Sequence, residues 1–142
     1  MDLPPVASRL DGAIGLTLES AEDGVVTLRL EPGAVGVVEE DERTYLHGGI
    51  LATCVDTAAW YAAASASEGD WLVTGLQLEA LQLARSEAHR VIARCVRAGR
   101  TRAVVDVEIA SDVDPERIVA LGRASLARPQ ARALSRVQGR TA

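Results

Sequence analysis

A chain of 142 residues, with 48% hydrophobic and 25% charged residues and a formal net charge of −5, is long enough for one domain with a sizeable core and too short for two. The acidic balance argues against a general nucleic-acid binder, and with no Phe the core must be assembled from Val, Leu, Ile and Ala, which suits sheets. No stretch offers the roughly 18 consecutive apolar residues of a membrane span, and the start lacks the basic and apolar runs of a secretory signal, so a cytoplasmic location is the default expectation. Cys54 and Cys95, the only two cysteines, have neither CxxC nor Cys/His spacing and read as reduced and buried, and no metal site is expected. A single domain over residues 1–128 is expected, followed by a locally basic tail over 129–142 that reads as solvated.

In chain order, residues 6–15 predict a short helix broken by Gly12 and Gly15, either a lid or a turn covering a sheet edge. Residues 16–20 and 25–30 alternate with period two around Glu22-Asp23-Gly24, the pattern of a hairpin. Residues 34–44 include Glu39, Glu40, Asp41 and Glu42 and show no period, so a loop is predicted there. Residues 45–66 predict the one long helix, with Gly48-Gly49 at its mouth. Beyond the Glu68-Gly69-Asp70 turn, strands are predicted over 71–83, 88–98, 103–111 and 117–127, joined by turns at Gly99-Arg100 and Asp112-Pro115.

A run of antiparallel strands with one mostly apolar helix is an α+β arrangement in which the sheet curls around the helix. Ile50, Leu51, Cys54, Val55, Ala58 and Ala62 supply an apolar stripe, and Ala52, Ala59 and Ala63 allow a second surface to approach closely. One charge breaks the pattern. Asp56 lies about two turns into this helix, where a carboxylate costs free energy unless it is paired, hydrated or used. A sheet wrapped on one helix also leaves edge strands, which a symmetric dimer covers, so at least a homodimer is expected.

The segment His47-Gly48-Gly49, six further residues and Asp56 resembles the signature of hotdog-fold acyl-CoA thioesterases of the phenylacetate-degradation type. Val73-Thr74, the run Val96-Arg97-Ala98-Gly99-Arg100-Thr101 and Leu121-Gly122-Arg123-Ala124 extend the likeness over residues 12–126. The resemblance implies a curved antiparallel sheet around a central helix and hydrolysis of an acyl-CoA to a carboxylic acid and coenzyme A without metal or organic cofactor. It also implies a homodimer, or a dimer of dimers, with each site shared between two subunits. Gly48 matches the backbone donor to the thioester oxygen, a role that fits the unpaired N–H groups and positive dipole end of a helix start. Asp56 matches the carboxylate that serves either as general base on water or as nucleophile. Thr74 matches a hydroxyl that orients water.

Other positions carry two readings. His47 either orients the helix entry, the preferred role, or transfers a proton; Gly49 stands beside it at the oxyanion turn. Asp41 occupies the place of a family Asn, and an ionised Asp cannot donate to a leaving thiolate; it is protonated, or solvent-facing, or slows the enzyme, with solvent exposure preferred. The third of the six main strands departs from the family at Leu81-Gln82-Leu83-Ala84-Arg85, which lacks the usual proline. Arg85 and Arg100 are either contacts for the coenzyme A phosphates or solvated surface. Trp60 and Tyr61 either line an acyl pocket or pack in the core. Cys54 reads as an inert core thiol, and Gly69, Gly75 and Gly122 as turn or packing positions. A non-catalytic hotdog module that binds an acyl thioester or a protein partner is the alternative to an enzyme, and a hydratase is the weaker third reading.

Overall fold

The structure is a computed structural model that describes residues 2–129. The basic stretch expected as a tail therefore lies, from residue 130 on, outside the described residues. The first helix, α1 (Arg9–Ile14), starts at Ser8, whose hydroxyl accepts from the Asp11 N–H, and stops at Gly15 in the left-handed conformation. Strands β1 (Leu16–Glu22) and β2 (Val25–Leu30) form the predicted hairpin. Its tip, Asp23-Gly24, has positive φ at both residues, the geometry that matches a two-residue turn to the twist of the strands.

Residues 34–44 are not a loop. They contain most of a second hairpin, β3 (Val37–Glu40) and β4 (Arg43–Leu46), whose tip is Asp41-Glu42 with φ of 47° and 61°. Such turns usually announce themselves by Asn-Gly or Asp-Gly, and two acidic residues in a left-handed conformation gave no such signal. The long helix α2 (Gly48–Ala66) consequently begins later than position 45, because Tyr45 and Leu46 belong to β4.

Strands β5 (Leu72–Ala80), β6 (His89–Ala98), β7 (Arg102–Ser111) and β8 (Ile118–Ala127) complete a six-stranded antiparallel sheet in the order β1-β2-β6-β7-β8-β5. The strand predicted to run to position 83 ends at Ala80; the apolar alternation continues through Leu81 and Leu83, but both side chains are exposed and the regular pairing with β8 stops, the Leu81 N–H keeping one bond to the Val119 carbonyl. Alternation reports a period, not a partner, so it overran the end.

The sheet's concave face wraps α2. Val26, Leu28, Leu30, Val91, Val105, Ile109 and Leu126 are fully buried, each Leu or Ile worth about 2 kcal/mol on the area scale. Helix α2 is buried beyond a single stripe: Ala58, Ala59, Ala62 and Ala63 all have 0% exposure, so small residues bring the backbone close to its neighbours. Gly122 of β8 allows this approach, since a Cβ there would stand 2.6 Å from the Val55 side chain. Its reading as a packing position is correct. What the wrap leaves open is the side of α2 that faces the edge strand β5.

Candidate active site

The first turn of α2 is set by its neighbours. Leu46 N–H donates to the Ala84 carbonyl (2.8 Å) and His47 N–H to the Gly36 carbonyl (2.7 Å), which fixes where the strand ends and the helix begins. His47 then caps the helix: its Nδ1 accepts from the Gly49 N–H at 2.9 Å. An accepting Nδ1 leaves the ring proton of neutral His47 on Nε2. This geometry supports orientation over proton transfer. It also separates the two glycines, because the Gly49 N–H is engaged while the Gly48 N–H makes no hydrogen bond among the described residues. Gly48 is exposed, and nothing lies within 4 Å of where its side chain would be. An exposed, unpaired first-turn N–H at a positive helix end is a ready donor to an oxyanion. Gly49 instead contributes its lack of a side chain, since a Cβ would come within 2.9 Å of the His47 ring.

Two turns further on, Asp56 lines a cleft of about 460 Å³ between α1, α2 and β5. Ala52, Thr53 and Trp60 share its helix face, Leu76 comes from β5, and Ser8, Leu10 and Asp11 come from α1. Asp56 is exposed in the single chain, but the partial desolvation by the cleft walls raises its pKa above the ordinary carboxylate value, and the charge of Asp11 adds to the shift. Asp11 itself was missed by the sequence reading. It is 3% exposed, its Oδ1 accepts from the Thr57 hydroxyl at 2.6 Å and its Oδ2 from the Ser8 hydroxyl at 2.5 Å. The only available signal was Ser8-x-x-Asp11, a helix-start pattern that says nothing of burial. Trp60 stands on the cleft and meets Tyr61 edge to face at 5.2 Å, whereas Tyr61 is buried and donates to the Pro4 carbonyl. Trp60 thus lines the cleft, while Tyr61 packs in the core. Cys54 is buried with its thiol pKa pushed up to about 12, chiefly by burial, which leaves it inert as a nucleophile.

The remaining predicted residues are dispersed. Thr74 sits at a bulge in β5 and donates to the Ser125 carbonyl (3.1 Å), outside the Asp56 cleft of its own chain. Asp41 is exposed at the tip of the β3–β4 hairpin and lines no cleft with Asp56. Arg85 lines a second cleft, of about 790 Å³, with Arg43, Tyr45 and Arg117. Arg117 meets Glu87 at 3.4 Å, while Arg43 and Arg85 form no ion pair among the described residues. Arg100 is exposed at the β6–β7 turn, and its carbonyl accepts from Arg128, so the structure does not bring Arg85 and Arg100 into one cleft. Arg43 and Arg117 were also missed, being distant from Arg85 in sequence. Among the described residues, no group of His, Cys, Asp and Glu could hold a metal, and no helix is long and apolar enough to cross a membrane.

Comparison with known proteins places this arrangement. A curated 1,4-dihydroxy-2-naphthoyl-CoA hydrolase from Listeria monocytogenes is 30% identical over 122 residues, covering 83% of this chain and 94% of that protein. The fold matches the PaaI protein of the E. coli phenylacetic acid degradation operon with a TM-score of 0.75 at 22% identity, over 87% of this chain and 86% of that one. It also matches a hypothetical thioesterase protein of Streptococcus pneumoniae solved with coenzyme A, with a TM-score of 0.70 at 21% identity over 83% and 92% of the two chains. A family model described as the thioesterase superfamily covers residues 44–118, more than half of the sequence. That segment runs from β4 through the Gly48 turn and Asp56 to the start of β8, and the chain belongs to the thioesterase superfamily, as a hotdog-fold thioester hydrolase.

Proposed function

We propose that this thioester hydrolase cleaves acyl-CoA thioesters to a carboxylic acid and coenzyme A, in sites each completed by two copies of the chain. One observation carries the shared site. Gly48 and Asp56 lie on one helix, eight residues apart, which is about 12 Å of rise. First-turn N–H groups point out of the helix end, away from Asp56, so a carbonyl held by Gly48 lies farther still from the carboxylate of the same chain. A base must come within about 3 Å of the water it activates. The Gly48 half of one copy therefore works with the Asp56 half of another. The uncovered edge of β5 supports that pairing, with Leu72 and Leu76 exposed on it and the Asp56 cleft opening beside Leu76. A further pairing of dimers would use the outer face of the sheet, where Ile92 and Leu121 lie among the charged Arg94, Asp106 and Glu108.

In this reading the thioester oxygen rests on the Gly48 N–H and water stands between the carbonyl carbon and Asp56. Asp56 removes a proton as water adds to the carbon, and the growing oxygen charge is held by Gly48 and the helix dipole. Collapse of the adduct expels the coenzyme A sulfur, which takes the proton back from Asp56. The raised pKa of Asp56 favours the general-base role, since proton uptake is what burial encourages. Thr74, its hydroxyl hydrogen already donated to Ser125, keeps oxygen lone pairs to accept from water. The proposal assigns no metal or organic cofactor to these steps. Arg85, with Arg43 and Arg117, offers guanidinium groups beside the strand that leads into α2, where they would hold the phosphates of coenzyme A. Two unpaired cysteines support a reducing, cytoplasmic setting.

The test is steady-state hydrolysis of a panel of acyl-CoA thioesters by the wild type and by Asp56→Asn. Loss of turnover in a folded variant is expected; undiminished turnover would overturn the assignment.

A further inference from the structure

The Asp56 cleft holds a second carboxylate that the reaction just described does not use. Asp11 reaches it from α1, a helix of six residues, and is almost wholly withdrawn from solvent. Both of its oxygens accept hydroxyl hydrogen bonds, one from Ser8 at the start of its own helix and one from Thr57, the residue after Asp56. A helix-start acid needs only the first of these, and it normally stays at the surface. The second ties α1 to α2 beside the carboxylate assigned to the chemistry. The other lining groups are apolar or hydroxyl-bearing: Thr53 and Trp60 from α2, Leu10 from α1 and Leu76 from β5. Among the described residues no arginine or histidine lines this cleft, so none of them offsets the negative charge that Asp11 places against Asp56.

We propose that Asp11 is a positioning residue for hydrolysis: pinned through Thr57 and Ser8, it fixes α1 as a wall of the cleft and supplies a buried negative charge that favours proton uptake by Asp56. The proposal rests on Asp56 being the general base. Asp11 is assigned no contact with the reacting atoms; it acts as a like charge withdrawn from solvent beside Asp56, which is itself exposed in the single chain, and such a charge stabilises the protonated form of its neighbour. The raised pKa of Asp56, to which Asp11 contributes, agrees with this geometry.

The experiment compares the full-length wild type, Asp11→Asn and Thr57→Val on benzoyl-CoA and hexanoyl-CoA. Loss of thioester absorbance is followed across the pH range, so no thiol-trapping reagent limits the conditions. The acid limb of kcat/KM reports the base in the free enzyme. Removing the Asp11 charge should move that limb to lower pH by about one unit, with the plateau kcat falling about threefold as the base weakens. Thr57→Val keeps the side-chain shape but removes the hydrogen bond that pins Asp11 beside Asp56; it should shift the limb in the same direction by less, and it decides the matter if Asp11→Asn does not fold. An equal loss of activity at every pH, with the limb in place, would reduce Asp11 to a structural cap and overturn the proposal. Asp56→Asn, run beside them, separates the two failures. Retained turnover there removes the general-base reading and this proposal with it, whereas an inactive Asp56→Asn with an unmoved limb in the Asp11 and Thr57 variants removes this proposal alone.

Discussion

The two clefts of this chain differ in the chemistry of their walls. The Asp56 cleft is apolar and hydroxyl-lined, holds two carboxylates, and has no cation among the described residues that line it. The cleft of Arg43, Arg85 and Arg117 is larger and built from guanidinium groups on β4, the segment after β5 and the approach to β8. Their exposed groups differ in charge. In the first, partial desolvation and a neighbouring carboxylate hold a proton on Asp56 more tightly, which prepares a base; in the second, the exposed guanidinium groups of Arg43 and Arg85 suit an anion. Under the proposed reading the difference is a division of labour along one substrate, with bond cleavage at Asp56 of one copy and capture of the nucleotide at the arginines beside Gly48 of the other. The exposed Gly48 N–H stands just beyond β4, which contributes Arg43 and Tyr45 to the arginine cleft.

The most forceful way to break that picture is to delete each half of the chemistry separately. Gly48→Pro removes one N–H at a helix position that tolerates proline, and Asp56→Asn removes the base. Turnover should fall about 100-fold or more in the first, the scale of a lost oxyanion donor, and at least as far in the second. Mixed dimers of the two variants should regain about a quarter of wild-type activity, because half the dimers are mixed and one of their two sites is intact. Mixtures as inactive as the single variants would end the shared-site reading.

A weaker effect probes the arginine cleft. Arg43→Ala combined with Arg85→Ala should raise KM for acyl-CoA about tenfold with kcat little changed, the signature of lost uniform binding. The increase should vanish on a truncated pantetheine thioester that lacks the phosphates. An equal loss on both substrates would show that these arginines serve the fold.

His89 offers a control outside both clefts. It is fully buried on β6, neither ring nitrogen has a hydrogen-bond partner among the described residues, and burial lowers its pKa despite the opposing influence of Glu87. The folded state therefore keeps the ring neutral while the unfolded chain takes up a proton below a pH of about 6.5. Stability contributed at neutral pH is lost as pH falls through that value. His89→Phe should be more stable by about 1 kcal/mol at neutral pH in denaturant melts, with a gain that widens on acidification. Activity at neutral pH should be unchanged.

The smallest effect returns to Asp56. Its raised folded pKa means the folded state binds a proton more tightly than the unfolded one, so this group destabilises the fold as pH rises from the unfolded value through the folded one. Asp56→Asn should melt slightly higher than wild type at neutral pH and show no gain below the ordinary carboxylate range. A variant both inactive and no more stable would indicate that the carboxylate is not strained by its surroundings.

Much of the architecture was present in local signals. The Asp23-Gly24 turn, the alternation in β1, β2 and the last three strands, and the glycine-opened apolar helix all depend on interactions within a few residues, which a linear reading captures. Gly48, His47 and Asp56 are likewise neighbours on one segment, so the resemblance they carry to the thioesterase signature implied thioester hydrolysis before any contact was visible. The β3–β4 hairpin escaped because its tip uses Asp41-Glu42 where glycine is usual, and β5 was drawn too long because exposed Leu81 and Leu83 continue its rhythm. What tertiary structure alone decided are the contacts between distant segments: Asp11 on Thr57 across 46 positions, and Arg43 and Arg117 gathered around Arg85. Helix and turn preferences are written in single residues and short spacings, but a buried charge or a cluster of guanidinium groups exists only once the chain has folded back on itself.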